Sequence, residues 1–202
     1  MSKNATSCAK ALQNWEANHT GESATDSKIL KLNFQIPPIE KMDAPVLNTL
    51  VNCRVLSLST NLIDKIVDLP NLRNLEILSL SRNNIKKISG LEQMGQTLKE
   101  LWLSYNSIEK LDNLQSCVKL HTLFISNNKI KSWDEIDKLK ELPEISNVNF
   151  LSNPIYDGLQ REDARYNVLR KINTLRNIDG IIIDDAMVDK AKTMEAAATQ
   201  GK

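Results

Sequence analysis

The sequence predicts an α/β solenoid of about six stacked coils, with a parallel sheet on its concave side. Two observations predict this fold. A segment of about 14 residues recurs along the chain, with copies that start at residues 29, 53, 75, 98, 120 and 145. Within each copy, apolar and polar residues alternate with the period of two that is typical of a half-buried strand. The copies recur every 22 to 25 residues, which leaves room for one strand and one short helical turn per coil.

The central copies of the repeat align without gaps: CRVLSLSTNLIDKI (53–66), LEILSLSRNNIKKI (75–88), LKELWLSYNSIEKL (98–111) and LHTLFISNNKIKSW (120–133). Their pattern, L-x-x-L-x-L-x-x-N-x-I/L, is that of a leucine-rich repeat. A weaker copy starts at Ile145, and the first copy, ILKLNFQIPPIEKM (29–42), has Pro37 in place of the asparagine. No coil can bury its apolar side alone, so the coils must stack. Residues 29–155 are therefore predicted to be the repeats of a single domain, 1–202.

Recurrent asparagines and two cysteines are predicted to be structural. An inward asparagine amide at the end of each strand can pair with backbone groups of adjacent coils, at Asn61, Asn83, Asn106, Asn128 and Asn153. Cys53 stands at a leucine position and Cys117 at a core position of the convex side, where small buried thiols fit. Three cysteines without framework spacing predict reduced thiols and an intracellular protein.

Helical caps are expected at both ends, because terminal coils expose apolar edges. At the start, residues 1–28 are predicted to hold a cap helix and a linker. Ser7 or Thr6 caps this helix, and Cys8, Ala11, Leu12 and Trp15 share its inner side.

The predicted C-terminal cap covers residues 156–183. A helix over 159–172 turns Ala164, Val168, Leu169 and Ile172 inward, and Tyr156 and Tyr166 pack within the cap. Residues 184–202 have two interpretations: a solvated tail, or a helix that projects beyond the cap. The projecting helix would contact a partner through Met187, Lys190, Lys192 and Met194.

The exposed side of the sheet is the predicted site. Leucines four and six of each copy point inward, so positions three, five and seven point outward. In the first copy this turns Lys31, Asn33 and Gln35 outward and Phe34 inward. Trp102 and Phe124 share position five of adjacent copies. Because adjacent strands lie about 4.8 Å apart, the two side chains are predicted to be direct neighbours.

An apolar centre with a polar rim is typical of a protein-binding surface. The candidate partner-binding residues are Val55, Ile77, Arg82, Glu100, Trp102, Tyr105, Phe124, Asn127, Asn149 and Leu151. In the alternative interpretation, Trp102 lies flat on the sheet and covers its own neighbours.

Several function classes are disfavoured by the sequence. A formal charge of +1 argues against a nucleic-acid partner, which relies on phosphate contacts. No apolar run approaches membrane-spanning length and nothing resembles a signal peptide, so no membrane partner is expected. His19 and His121 lack the spacing of a metal or nucleophile site. We therefore expect neither an enzyme nor a bound metal or cofactor.

Longer stretches resemble one family. QIPPIEKMD (35–43), TLKELWLSYNSIEKL (97–111) and IKSWDEIDKLKELPEI (130–145) resemble the leucine-rich-repeat light chains of axonemal outer-arm dynein. The resemblance implies a non-catalytic subunit, a monomer within a larger complex of the cytoplasm and cytoskeleton, in the axoneme of a cilium or flagellum.

That family binds a dynein heavy chain at the microtubule-binding tip of its stalk and modulates how the motor engages the microtubule. Tubulin is a further candidate partner. The alternative function is a leucine-rich-repeat adaptor that regulates another enzyme, such as a serine/threonine phosphatase.

Overall fold

The stacked coils form one eight-stranded sheet whose strands follow the order of the sequence. The computed structural model describes residues 5–200, and the side chains of residues 5–194. The first seven strands pair in parallel and the last pairs antiparallel. The strands are β1 (Ile29–Lys31), β2 (Val55–Ser57), β3 (Ile77–Ser79), β4 (Glu100–Trp102), β5 (Thr122–Phe124), β6 (Asn147–Asn149), β7 (Asn177–Ile178) and β8 (Ile181–Ile182). The predicted concave parallel sheet is confirmed, and the cap adds its last two strands.

The first coil begins two residues earlier than predicted. Ile29 pairs with Val55 and Leu30 with Leu56, so the coil starts at residue 27 and turns Ile29, Lys31 and Asn33 outward. Gln35, and not Pro37, takes the asparagine position. From Ile39 onward the first coil is again in the predicted register. The Ile39 N–H donates to the Asn61 side chain, just as the Ile63 N–H donates to the Asn83 side chain. A shift of two keeps the alternation of inward and outward side chains, so the pattern could not reveal the error. Phe34 is consequently exposed, where an inward position was predicted.

The recurrent asparagines join adjacent coils, as predicted. Asn83 accepts a hydrogen bond from the Ile63 N–H at 2.9 Å and donates to the carbonyls of Leu58 and Leu80 at 3.1 and 3.0 Å. The same arrangement recurs at Asn61, Asn106, Asn128 and Asn153. Each amide thus satisfies backbone groups that the stacked coils would otherwise bury unpaired.

The convex side carries short helical segments in place of strands. They are α2 (Ala44–Leu47), a 3₁₀ turn (Glu92–Met94), α3 (Trp133–Asp137) and a second 3₁₀ turn (Lys138–Glu141). Between sheet and convex side, the leucine and isoleucine side chains form one continuous buried core. Cys8, Cys53 and Cys117 are free and buried, as predicted, and burial raises the pKa of the Cys53 and Cys117 thiols to about 11.

The N-terminal cap is helix α1 (Cys8–Asn18). The Ser7 hydroxyl oxygen accepts from the Lys10 N–H at 3.1 Å, which satisfies a free donor of the first turn. Cys8, Ala11, Leu12 and Trp15 are buried, so the predicted inner side is confirmed. Trp15 also stacks on His19, with ring centroids 4.1 Å apart.

The C-terminal cap contains helix α4 (Arg161–Lys171) and a 3₁₀ turn (Pro154–Tyr156). The predicted inward residues, Ala164, Val168, Leu169 and Ile172, are all buried. Tyr166 is buried too, and the Tyr156 hydroxyl donates to the Asp179 carboxylate at 2.8 Å. Both tyrosines therefore pack within the cap, as predicted.

Helix α5 (Asp185–Gln200) packs along α4, so neither interpretation of the tail was right. Ala191 is buried, and Met187 and Met194 are partly buried against the core. Lys190 pairs with Glu162 at 2.9 Å and lies 4.5 Å above the Tyr166 ring. The predicted tail contacts Met187, Lys190 and Met194 are thus occupied within the chain, because the apolar stripe of α5 faces α4. Lys192 stays exposed beside Asp189, and residues 201–202 lie outside the described residues.

Candidate protein-binding surface

Trp102 and Phe124 lie side by side on the concave face. Leu101 and Leu103 are fully buried, which forces the residue between them outward. Strands β4 and β5 pair Trp102 with Phe124 directly, and the ring centroids lie 5.7 Å apart at an angle of 42°. Tilted pairs at this separation are favourable beyond their burial of area. The adjacency that the repeat spacing predicted is confirmed.

The Trp102 side chain is neither buried nor free. It is 36% exposed, and its indole N–H donates to the Glu100 carboxylate at 3.0 Å. Glu100 lies two residues earlier, on the same face of β4, so it orients the indole. The two alternatives for Trp102 therefore combine: part of the ring leans on its neighbours, and the rest faces the open concave side.

A row of aliphatic side chains continues from the aromatic pair toward the first coil. Ile29, Val55 and Ile77 occupy position three of coils one to three and pair in register. Val55 and Ile77 are half-buried and Ile29 is exposed. Sequence reasoning missed Ile29, because the predicted register of the first coil was two residues late.

Small hydroxyl side chains form the floor beside this row. Ser57 and Ser79 are buried, and the Ser59 and Ser79 hydroxyls hydrogen-bond at 2.7 Å. On the other side of the aromatic pair, Ser126 donates to Ser104 at 3.0 Å. The serines satisfy one another and keep the surface shallow, so a partner can approach the aromatic and aliphatic side chains closely.

Where each strand ends, one residue adopts a left-handed backbone. The φ values of these residues lie between 51° and 59°. We call these six residues the rim row: Phe34, Thr60, Arg82, Tyr105, Asn127 and Ser152. The Arg82 guanidinium lies 4.2 Å from the centroid of the Tyr105 ring. The structure therefore brings Arg82 and Tyr105, both predicted site residues, into direct contact beside the concave face.

The predicted residues of the last coil lie farther away. Asn149 and Leu151 are half-buried, and the Asn149 side-chain oxygen accepts from the Leu151 N–H at 3.2 Å. Beyond them, Ile182 pairs in register with Asn177 and is largely exposed. No sequence signal marked Ile182, because its place depends on the hairpin of β7 and β8.

The convex side holds an open groove of about 1380 Å³, which mixes lysines with acidic residues. The hydrogen bond from Lys138 lowers the pKa of Asp112 there. The histidines make local bonds, His19 to the Trp15 carbonyl and His121 to the Thr122 hydroxyl. Within the part of the chain that the structure describes, no three His, Cys, Asp or Glu side chains are arranged to hold a metal ion. No helix among the described residues is long and apolar enough to span a membrane.

Comparisons of fold agree with the repeat. A family model of leucine-rich repeats in two copies matches residues 96–144, and a model of a single leucine-rich repeat matches residues 74–94. Among solved structures, the Drosophila melanogaster SNF/U2A' complex has a TM-score of 0.64 at 20% identity, covering 77% of this chain and 92% of the matched chain. The leucine-rich repeat domain of APL1B has a TM-score of 0.56 at 21% identity, covering 73% and 43%.

Comparisons of sequence are more specific. The dynein axonemal light chain 1 of Danio rerio is 49% identical, over 87% of this chain and 91% of the relative. The Homo sapiens protein of the same name is 48% identical, over 87% and 92%. The Chlamydomonas reinhardtii protein is 44% identical, over 80% and 83%. With this identity over nearly the whole length of each relative, the chain belongs to the dynein axonemal light chain 1 family of leucine-rich-repeat proteins.

Proposed function

We propose that this chain is a non-catalytic subunit of ciliary outer-arm dynein that binds a dynein heavy chain at the microtubule-binding tip of its stalk. The name shared by its relatives supports a dynein light chain role in the axoneme of the cilium. The stalk tip as the binding site comes from the family resemblance, and it is the part that needs a direct test.

The aromatic pair on the concave face is the observation that carries this proposal. Trp102 and Phe124 contact each other at the centre of a shallow surface, and Val55 and Ile77 extend it. Tryptophan, tyrosine and arginine are the residue types that most often dominate binding energy, and Trp102, Tyr105 and Arg82 lie together here. The surface offers apolar contact and no reactive group, which fits a binding subunit.

The proposed effect on the motor is thermodynamic linkage. A light chain that binds one conformation of the stalk tip more tightly than another shifts the population toward the first. The microtubule affinity of the motor then changes by at most the free energy that separates the two binding affinities. Tubulin is a further candidate partner for the surfaces that the heavy chain leaves open.

Direct binding of the recombinant chain to an isolated heavy-chain stalk tip tests the proposal. We expect a saturable one-to-one complex by calorimetry, and co-purification of the chain with heavy chain from detergent-extracted cilia. If the chain binds to no axonemal stalk tip, the heavy-chain site is rejected. Recovery with a serine/threonine phosphatase from whole-cell extract, and not from cilia, would favour the adaptor function instead.

A further inference from the structure

Three large apolar side chains are exposed together on the first two coils. Ile36 is 80% exposed, Phe34 is 66% exposed and Leu62 is 45% exposed. Backbone bonds hold the two coils together on either side of them, from Phe34 N–H to the Ser59 carbonyl at 3.1 Å and from Leu62 N–H to the Ile39 carbonyl at 2.8 Å. We call Phe34, Ile36 and Leu62 the N-terminal rim patch. Single exposed apolar residues are ordinary, but several on neighbouring coils are typical of an interaction site.

Neither the backbone conformation nor the core requires a phenylalanine at residue 34. Its φ of 51° is left-handed, a region that suits glycine or asparagine and disfavours bulky side chains. In the fifth coil Asn127 occupies the same place with a φ of 54°. Phe34 is therefore less favourable than asparagine for the backbone and contributes little to the core, since most of its side chain is in solvent. A bulky apolar side chain that is exposed on an unfavourable backbone is consistent with a role in binding.

Two rows of side chains lead from the first coil toward the aromatic pair, and the rim row begins at Phe34 of the patch. Along the rim row, Phe34 is followed by Thr60, Arg82 and Tyr105, which brings the row beside Trp102. Across the sheet, Ile29 in the first coil pairs with Val55, and Val55 pairs with Ile77. The first row thus reaches Tyr105 near Trp102, and the second ends at Ile77, which pairs with Glu100 on the same strand as Trp102.

The concave face has a small footprint for a protein interface. Its first six strands span about 29 Å across the sheet and about 15 Å along the strands, or roughly 450 Å². A stable complex buries about 800 Å² on each partner. A partner seated on Trp102 and Phe124 is therefore expected to extend past the sheet, and the rim row leads from this pair to the N-terminal rim patch.

We propose that the heavy-chain partner seated on the concave face also covers the N-terminal rim patch, with an apolar segment packed on Phe34, Ile36 and Leu62. This inference rests on the proposed function. It makes the interface bipartite: the aromatic pair anchors the partner at coils four and five, and the rim patch holds it at coils one and two. The rim row, with the Arg82 and Tyr105 pair, lies between the two anchors.

The test compares two variants of the full chain for binding to the isolated stalk tip. The rim variant carries Phe34→Asn, Ile36→Thr and Leu62→Gln; the control variant carries Val51→Thr and Leu159→Gln, at exposed apolar residues outside the patch. We expect the rim variant to bind at least about tenfold more weakly and the control to bind like wild type. Thermal unfolding should be unchanged, since all the substituted side chains are exposed. Should the triple variant not fold, Phe34→Asn alone, which suits the left-handed backbone, is expected to weaken binding about threefold.

The outcomes separate the two proposals. Weak binding by a Trp102→Ala variant together with wild-type affinity in the rim variant overturns the bipartite interface and leaves the proposed function standing. No binding by the wild-type chain rejects both. As a second measurement, a photoreactive group at residue 36 should crosslink to the heavy chain in the reconstituted complex. A crosslink that forms only with another axonemal protein assigns the patch to a different partner and overturns the inference.

Discussion

Single asparagines decide how well neighbouring coils are joined. Asn83 bridges four backbone groups, two in its own coil and two in the coil before it, and the shortest bonds are to the Ile63 N–H and to the Leu58 and Leu80 carbonyls. The two carbonyls have a second amide partner each, Leu58 from Asn61 and Leu80 from Asn106. Asn83 is the one side chain among the described residues that pairs the Ile63 N–H. The contribution of Asn83 to stability therefore depends mainly on one buried donor.

Replacing Asn83 by alanine should lower the free energy of unfolding by about 2 kcal/mol, because the Ile63 N–H is left buried and unpaired. Chemical denaturation followed by circular dichroism measures the change. The adjacent Asn84 is exposed, so Asn84→Ala serves as the control and should stay within about 0.5 kcal/mol of wild type. An equal loss in both variants would contradict the bridging role.

Asp179 connects the cap to the last coil. Its carboxylate accepts from the Phe150 N–H at 2.7 Å and from the Tyr156 hydroxyl, at the turn between β7 and β8. Burial nevertheless raises the pKa of Asp179, because a carboxylate loses its hydration there. The folded chain thus holds this proton to a higher pH than the unfolded chain does. The contribution of Asp179 to stability is complete below a pH of about 3.9 and is lost as the pH rises through the folded pKa.

Asp179→Asn removes the buried charge and retains an oxygen for the Phe150 N–H. Asparagine also suits the left-handed backbone before Gly180. We therefore expect the unfolding free energy of the variant, relative to wild type, to rise between pH 3 and pH 7. Urea denaturation at both pH values measures this difference. A difference that stays constant or falls would contradict a raised pKa for Asp179.

At the scale of elements, the repeat pattern predicted the strands and their outward residues, and it predicted the adjacency of Trp102 and Phe124. It placed the first coil two residues too late, because Pro37 and Pro38 lengthen the turn while the alternation of side chains stays the same. For that reason Phe34 was predicted to point inward and was not included among the candidate site residues. A pattern with a period of two cannot distinguish registers that differ by two.

The C-terminal elements were harder to predict, because tertiary contacts decide them. The stripe of Met187, Ala191 and Met194 indicated a helix, but its partner is α4, which lies outside the repeat. The face that was predicted to meet another protein is instead packed within the chain. Ile182 reaches the concave side through a two-residue turn at the end of the sheet, and nothing in the repeat marks that turn.

Gly95 shows how closely adjacent convex turns approach. It has an ordinary helical φ of −59°, so alanine would fit the backbone itself. An added Cβ would nevertheless lie 2.1 Å from the Ser116 carbonyl oxygen in the next coil. Close packing between coils, and not backbone freedom, is the reason for glycine here.

Gly95→Ala should therefore lower the free energy of unfolding by about 1–3 kcal/mol, because the two coils must separate to admit the methyl group. Thermal and chemical denaturation measure the loss. Gln96→Ala, at the exposed neighbouring residue, is the control and should have little effect. A stabilised Gly95→Ala variant would mean that helix propensity outweighs the contact with Ser116.

At the scale of the whole molecule, the solenoid is a rigid support for one exposed face. The buried leucine ladder and the asparagines fix the strand register, and the register fixes which side chains face outward. The caps close the two ends of the stack, so the concave face and its rim remain as the extended open surface, where we propose that a partner binds.

Linkage makes a reciprocal prediction for the complex. If the chain changes the microtubule affinity of the stalk tip by some factor, microtubules must change the affinity of the stalk tip for the chain by the same factor. Co-sedimentation with and without the chain gives the first factor, and fluorescence titration with and without microtubules gives the second. Unequal factors would show that more than one complex forms, for example by binding of the free chain to microtubules on its own.

The affinity of the Trp102→Ala, Phe124→Ala double variant for an isolated stalk tip tests the central claim most directly. The two rings are held on the open face by the buried residues on either side of them, so their removal should leave the fold intact. The account predicts a loss of at least about 2 kcal/mol of binding free energy per anchor, against wild-type affinity for the control Val51→Ala, Leu159→Ala. Wild-type affinity in a folded double variant would contradict it.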